Sequence, residues 1–407
     1  MSSQPPIVLQ RGAALPALPW SLRILARLLA KAEHGRLDLR LPDGRDIRVC
    51  GHLPGPHATL TLRRPRLIAR LLTGGDTGLL ESYVDGDWDT PDLTRFLMWG
   101  ATNESCFDGV ADGFKIWRAL RTIRHWRNRN TRAGSRRNIA AHYDLGNDFY
   151  ALWLDPTMTY SSALFASETD TLEQAQRRKY QRLIDQLGIG TEHHVLEIGS
   201  GWGGFAIQAA EQTGCRVTSV TLSRAQLEEA RRRAWRAGVA DRVNFELIDY
   251  RDLSGTYDRI VSIEMFEAVG EEYWPEYFRQ VHDRLAPGGR AGIQVITIED
   301  SRFDDYRKSA DFIQRYIFPG GMLPSPERFF DCAENAGLLL EDVLSFGPDY
   351  ARTLAHWDRA VHDQSDALRQ LGYDTRFQRL WHAYLAYCET GFLTGRIDVM
   401  QAVLARR

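Results

Sequence analysis

The 407-residue sequence has few cysteines and no long apolar run, and each absence excludes a class of protein. Its five cysteines are widely spaced, without a Cys-x-x-Cys pair or a Cys/His spacing typical of metal ligands. The sequence therefore predicts neither a disulfide framework nor a metal site. It contains no run of about 18 apolar residues that could span a membrane, and its N-terminal stretch has no signal-peptide core. We expect a cytoplasmic protein with reduced thiols.

The chain also lacks a large net charge of either sign. The formal net charge is −2, which gives no overall electrostatic basis for binding nucleic acid. With 43% hydrophobic and 26% charged residues, the composition is that of an ordinary globular protein that can bury a core. The length allows two or three domains.

The first 117 residues have the pattern of a small α+β domain. The stretch from Trp20 to Lys31 is amphipathic, with leucines on one face and basic residues on another. We favour a helix that packs on its own domain; the alternative is a helix that lies on anionic lipid. Period-two alternation over 37–62 predicts strands, and a helix is expected over 65–72.

A basic linker, residues 118–137, separates this domain from the rest of the chain. It holds eight arginines and no acidic residue. Basic residues beside tryptophans favour an anionic membrane surface, although a solvated helix face would look the same. RNA would also be attracted, but no RNA-binding motif surrounds the segment. We therefore expect a phospholipid membrane surface as partner, on its inner face, and no nucleic acid; a homodimer is left open.

The stretch from Val195 to Gly204 is the centre of the second predicted domain, residues 138–407. A short apolar run typical of a buried parallel strand leads into four closely spaced glycines, and a helix pattern follows. Glycines at such a turn let a ligand approach the backbone without meeting a Cβ. The spacing matches neither Gly-x4-Gly-Lys-Ser/Thr nor Gly-x-Gly-x-x-Gly, which argues against an ATPase and against a dinucleotide site.

After this loop, strand and helix patterns alternate as far as residue 298. This alternation predicts an α/β fold with a doubly wound, Rossmann-like parallel sheet, in which ligands bind at the carboxyl ends of the strands. Residues 303–407 are expected to be mostly helical, with a late strand near 338–346. The segments that would meet at the ligand-binding edge are Gly199–Gly204, Thr221–Gln226, Asp249–Tyr250, Glu264–Glu267 and Ile296–Ile298.

Several motifs together resemble the cyclopropane-fatty-acyl-phospholipid synthase family, which includes the mycolic acid cyclopropane synthases. They are His142-Tyr-Asp-Leu-Gly-Asn-Asp148, Tyr160-Ser161, Glu197–Gly204, Thr221-Leu-Ser-x-x-Gln226, Met265-Phe-Glu267 and Tyr316-Ile-Phe-Pro-Gly-Gly321. The resemblance implies a class I methyltransferase domain that binds S-adenosylmethionine (SAM), preceded by a lipid-binding-like domain. It also implies methyl transfer to the double bond of an unsaturated phospholipid acyl chain, followed by a proton loss that closes a cyclopropane ring.

The resemblance assigns the SAM contacts to residues around the glycine loop. They are Tyr160, Ser161, Glu197, Gly199, Ser200, Gly201, Gly203, Thr221, Leu222, Gln226, Asp249 and Tyr250. The acidic residue that usually follows the second strand of class I methyltransferases is missing, because Thr221-Leu222-Ser223 stands there. Contacts to the ribose are therefore expected from another residue, such as Gln226.

A bound bicarbonate that acts as the base is also implied by the resemblance. Its ligands would be Glu267, Tyr350, Ser162 and the main chain of Ile298. Ser162 replaces the family cysteine, which is harmless if the contact is made by the backbone.

The second departure is Ile296, which replaces the family histidine and has no side-chain donor for an anion. Bicarbonate is therefore less strongly expected, and His142 is an alternative base. Without ring closure the product would be methyl- or methylene-branched.

A small-molecule O- or N-methyltransferase and a non-catalytic lipid-binding protein are the other classes of protein that the sequence leaves open.

Overall fold

The computed structural model describes residues 6–9, 18–107, 145–308 and 310–406. The chain divides into two compact units. The first comprises Leu368–Thr394 and the described part of Met1–Arg124; the second comprises Gly395–Arg407 and the described part of His125–Ala367. The basic linker 118–137 and His142 lie outside the described residues.

The first unit is built on a five-stranded sheet with the order β1-β3-β2-β4-β5. Its strands are β1 (Ile7–Leu9), β2 (His34–Arg40), β3 (Asp46–Cys50), β4 (Leu53–Leu62) and β5 (Trp88–Asp89). Its first helices are α1 (Trp20–Leu29), α2 (Arg66–Val84), α3 (Leu93–Thr102) and α4 (Glu104–Phe107). The α2 helix runs beyond the expected 65–72 because it continues after a kink at Gly75, where φ is 55°.

The α1 helix packs on its own unit, as the favoured interpretation predicted. Leu22, Leu25 and Leu29 are buried, whereas Arg23 and Arg27 are exposed on the opposite face. Burying the leucine face stabilises the unit through the hydrophobic effect. In the parts of the chain that the structure describes, no helix is long and apolar enough to cross a membrane.

The second unit is built on a seven-stranded sheet with the order β11-β12-β10-β9-β6-β7-β8. Its strands are β6 (His194–Ile198), β7 (Arg216–Thr221), β8 (Val243–Leu247), β9 (Tyr257–Ile263), β10 (Leu285–Ile298), β11 (Leu338–Ser345) and β12 (Ile397–Arg406). Strands β6 to β10 are mutually parallel, and β12 runs antiparallel to β10 and β11. The predicted doubly wound α/β sheet is confirmed.

Helices precede and connect the strands of this sheet. In chain order they are α5 (Asn147–Ala151), α6 (Leu172–Leu187), α7 (Gly204–Thr213), α8 (Arg224–Arg236), α9 (Trp274–Arg284), α10 (Asp300–Tyr306), α11 (Phe312–Tyr316), α12 (Pro326–Asn335), α13 (Gly347–Asp363) and α14 (Ser365–Gln370). Two clusters of buried apolar side chains form the core; Ile293 belongs to one and Val261 to the other.

Strand β12 corrects the expectation that the end of the chain is helical. The strand lies between β10 and β11 and pairs with both, so it completes the sheet. Its residues from Val399 to Leu404 are all buried, and Gln401 is the only polar residue among them. A short apolar run of this kind does not distinguish a buried strand from a buried helix by periodicity.

The helix α15 (Thr375–Leu393) belongs to the first unit, although the sequence prediction placed it in the second domain. Arg379 is its main polar anchor. The guanidinium donates to the carbonyl oxygens of Tyr83 at 2.7 Å and Trp88 at 2.9 Å and to Asp89 Oδ1 at 2.8 Å. It also lies over the Tyr83 ring, 4.0 Å from the centroid.

We expect Arg379→Ala to loosen α15, because two carbonyls and a carboxylate lose a charged donor. Hydrogen bonds to charged groups contribute about 2 kcal/mol, so the opening free energy should fall by about that amount. Hydrogen exchange followed by mass spectrometry should show faster exchange in peptides from α15 and β5. The exposed Arg23→Ala is the control, and equal protection in both variants would contradict this role.

Candidate active site

The glycine loop joins β6 to α7 and has the backbone geometry of a ligand-binding turn. Gly199, Gly201 and Gly203 have φ values of 97°, 48° and 87°, in the left-handed region that favours glycine. A Cβ at Gly201 would meet no atom within 4 Å, so this face is open to a ligand. A Cβ at Gly203 would lie 3.0 Å from Phe245 and 3.2 Å from Ala230, so Gly203 allows close packing of α7.

The segment after β7 lies at the same edge of the sheet. The hydroxyl of Thr221 donates to Gln226 Oε1 at 3.1 Å, and Ser223 caps α8. Leu222 is half-buried directly after the strand. Gln226, the residue predicted to bind the ribose, is therefore oriented by the hydroxyl of Thr221, and residues 221–226 include no acidic residue.

Asn147, which was not among the predicted site residues, links these two segments. Its Oδ1 accepts a 2.8 Å hydrogen bond from Trp202 Nε1 of the glycine loop, and its Nδ2 donates to the Ala225 carbonyl at 3.3 Å. Asn147 lies in the motif His142–Asp148, which could have indicated its place in the site. Its amide holds the loop against the start of α8.

Tyr160 belongs to an aromatic cluster beside the loop. Its ring centroid lies 5.3 Å from that of Trp357, 5.4 Å from Trp153 and 5.5 Å from Tyr150. Tyr150 in turn contacts Trp202 of the glycine loop, with 4.9 Å between centroids. The rings make this side of the site apolar and keep water away from it.

Two of the residues predicted to contact SAM are acidic, and the carboxylates of both interact with other side chains of the protein. Glu197 is buried and accepts a hydrogen bond from the Ser219 hydroxyl; burial raises its pKa to about 8. Asp249 is buried and forms an ion pair with Arg251 at 2.6 Å. Both residues stand at the expected strand ends. Tyr250 is half-buried beside Asp249, and burial raises the pKa of its hydroxyl.

Glu264 has a carboxylate that accepts hydrogen bonds from three separate segments, and the prediction did not select it. Its Oε1 accepts from the Ser162 backbone N–H at 2.8 Å and from Gln294 Nε2 at 2.7 Å, and its Oε2 accepts from the Tyr350 hydroxyl at 2.6 Å. The residue directly follows β9 and has φ of 48°. Such a conformation is uncommon for glutamate and marks a constrained position.

Gln294 is held in the orientation that serves Glu264. Its Oε1 accepts a 3.0 Å hydrogen bond from Gln401 Nε2, so its Nε2 faces the carboxylate. Gln401 Oε1 in turn accepts from Arg182 Nη1 at 3.0 Å. Gln294 and Gln401 are completely buried on neighbouring strands, so this chain of amides fixes one donor direction.

Lys179 is a second unpredicted residue of the site. It is fully buried on α6, and its Nζ donates to the Ser161 hydroxyl at 2.6 Å. Burial lowers the pKa of Lys179 to about 7, while the negative charges of Glu264 and Asp155 act in the opposite direction. Its position within an ordinary helix pattern gave no sequence signal.

Glu267, the predicted catalytic carboxylate, lies in the same region but has different partners. Its Oε1 accepts a 2.6 Å hydrogen bond from the Ile296 backbone N–H. Its Oε2 is buried without a hydrogen-bond partner among the described residues. Burial, together with the charge of Glu264, raises the pKa of Glu267 to about 8.

The other predicted catalytic residues converge on Glu264 or lie apart from it. Ser162 donates to Glu264 through its backbone N–H, and Tyr350 donates to Glu264 through its hydroxyl. The backbone N–H of Ile298 instead donates to the Pro324 carbonyl at 2.9 Å. The sequence did place Glu264 at the ligand-binding edge, because it begins the segment Glu264–Glu267 expected there. That position could have indicated its role in the site.

The open glycine loop at the carboxyl edge of a doubly wound sheet defines the class, a class I SAM-dependent methyltransferase. Residues 130–402 match the mycolic acid cyclopropane synthetase family. The chain belongs to this family and is a SAM-dependent lipid methyltransferase.

Named relatives cover almost the whole chain. The tuberculostearic acid methyltransferase UfaA1 of Mycobacterium tuberculosis is 41% identical over 96% of this chain and 93% of its own length. The cyclopropane-fatty-acyl-phospholipid synthase of Escherichia coli is 34% identical over 88% of this chain and 90% of its own. The structure of the mycolic acid cyclopropane synthase CmaA1 with SAH and CTAB has a TM-score of 0.63 at 31% identity, covering 67% of this chain and 98% of that one.

We expect Gly201→Val to lower the affinity for S-adenosylhomocysteine at least tenfold while the protein stays folded. The added side chain would occupy the open face of the loop and cost a bound ligand more than about 1.4 kcal/mol. Gly188→Val is the matched control, because Gly188 also has a positive φ (57°) and no atom within 4 Å of a Cβ. Calorimetric titration showing the same loss in both variants would count against the site.

Proposed function

We propose that the chain methylates the double bond of unsaturated acyl chains of membrane phospholipids and closes a cyclopropane ring. The observation that carries the proposal is the pair of buried carboxylates, Glu264 and Glu267, beside the glycine loop. A Cβ on Gly199 would lie 3.1 Å from the Met265 side chain, so loop and carboxylates are neighbours. Alkene methylation needs a nearby proton acceptor, because methyl transfer leaves a carbocation that must lose a proton to give a neutral product.

SAM supplies an electrophilic methyl group when it is bound. Attack by the alkene would break the bond between sulfur and the methyl carbon, with S-adenosylhomocysteine as the leaving group. It would leave a carbocation on the acyl chain, which water would trap. The aromatic rings around Tyr160 exclude water, and their faces attract positive charge. A carboxylate then takes a proton from the added methyl group, and the electrons of that C–H bond form the second C–C bond of the ring.

Two observations support a phospholipid as the substrate. The Escherichia coli relative is named for an acyl-phospholipid reaction and aligns over most of this chain. The basic linker 118–137 has the composition of a segment that binds anionic lipid, to which each basic residue near the surface contributes about 1 kcal/mol. The protein would therefore work as a peripheral enzyme on a membrane surface.

A branched product is the second candidate, and the similarity to UfaA1 favours it. To form a branch, a hydride would move from the methylated carbon to the neighbouring cationic carbon before the proton leaves. The same carboxylate then removes a proton from the added methyl group and leaves a methylene branch. The two reactions share the methyl transfer and the base. They differ in the step after methyl transfer, which is proton loss with ring closure in one case and a hydride shift in the other.

We expect expression in a bacterial host that lacks such an enzyme to add one CH2 unit to unsaturated phospholipid acyl chains. Mass spectrometry of the fatty acid methyl esters measures the gain, and proton NMR distinguishes cyclopropane from methylene signals. Methyl-deuterated SAM with the purified enzyme should leave two of its three deuterons in the product, because one is removed as the ring closes. Lipids of unchanged mass would refute the proposal, and a methylene signal would select the branched alternative.

A further inference from the structure

Apart from Glu267, the groups that the family resemblance assigns to bicarbonate are already engaged by groups of this chain. Tyr350 Oη and the Ser162 backbone N–H donate to the two oxygens of Glu264. The Ile298 backbone N–H donates to Pro324, and Ile296 has no side-chain donor. Of the assigned groups, only Glu267 Oε2 is left without a partner among the described residues, and one carboxyl oxygen alone does not hold an anion, so the residues present do not fit a bound bicarbonate.

The Glu264 carboxylate has the hydrogen-bond environment of a bound anion. Three donors on three separate segments meet its two oxygens at 2.6 to 2.8 Å. Each donor is fixed: Ser162 through its backbone, Gln294 by Gln401, and Tyr350 by its position on α13. Charge-assisted hydrogen bonds of this length stabilise an ionised carboxylate in a place where burial alone would disfavour it.

We propose that Glu264 is the resident base of the reaction, a side-chain carboxylate that takes the place of bicarbonate and receives the proton from the added methyl group. This inference rests on the proposed function. In the step, a C–H bond of the methyl group breaks, its electron pair forms the C–C bond that closes the ring, and the proton passes to a Glu264 oxygen. A proton next to a carbocation is strongly acidic, so the position of the carboxylate matters more than its basicity.

The neighbouring charges assign different roles to the two glutamates. Burial raises the pKa of Glu264, while the charge on Lys179 and the three donors oppose this shift. Glu267 has one backbone donor, and the charge of Glu264 adds to the effect of burial on its pKa, which rises to about 8. Two close carboxylates do not both ionise easily, and the three donors favour ionisation of Glu264 over ionisation of Glu267.

Purified enzyme with SAM and vesicles of a monounsaturated phosphatidylglycerol provides the test. The wild type should turn over at the same rate in carbonate-free buffer as with added bicarbonate. Glu264→Gln should lower kcat by at least about 100-fold, as for loss of a general base, and keep its affinity for S-adenosylhomocysteine. Glu334→Gln, an exposed glutamate on α12, is the matched control and should behave as the wild type.

Glu264→Gly tests the anion site itself, because glycine accepts φ of 48° and the three donors would then face an empty position. Its activity should be lost in carbonate-free buffer and return in a saturable manner with formate or bicarbonate. Wild-type activity that depends on bicarbonate would overturn the proposal. So would rescue of Glu267→Ala by formate without rescue of Glu264→Gly. A wild-type enzyme that methylates no lipid would instead refute the proposed function.

Discussion

A carboxylate inside a protein needs donors, and the Glu264 carboxylate receives them from three segments that are far apart in the sequence. An unpaired buried charge costs several kcal/mol, so the loop with Ser162, strand β10 and helix α13 are held together by this requirement. The arrangement depends in turn on β12. That strand brings Gln401 beside Gln294 and so determines which end of the Gln294 amide faces the carboxylate.

The same network continues toward the glycine loop. Lys179 donates to the Ser161 hydroxyl, and Ser161 stands between Tyr160 of the aromatic cluster and Ser162 of the carboxylate site. The segment 160–162 therefore connects the apolar side of the site to its charged side. Asn147 likewise connects the glycine loop to the start of α8, through its hydrogen bonds with Trp202 and Ala225. The glycine loop and Glu264 thereby lie on segments that hydrogen bonds and ring contacts connect.

Much of the fold followed from the sequence, because the strand and helix periods after Val195 are regular and the glycine loop has a specific spacing. Strand β12 could not be predicted, since its pairing partners are set by tertiary structure and its pattern is that of any buried segment. Within the site, Ser162 and Tyr350 were identified but were expected to converge on another group. Glu264 and Lys179 acquire their importance from burial and from distant partners, neither of which a single sequence displays.

The central claim is that Glu264 occupies an anion site that would otherwise be free for bicarbonate. The most direct measurement is 13C NMR of labelled bicarbonate added to the wild-type enzyme with bound S-adenosylhomocysteine, compared with the Glu264→Gly variant. The account predicts a bound signal in the variant and none in the wild type, because the side chain already engages Ser162, Gln294 and Tyr350. A bound bicarbonate signal in the wild type that is displaced by formate would contradict it.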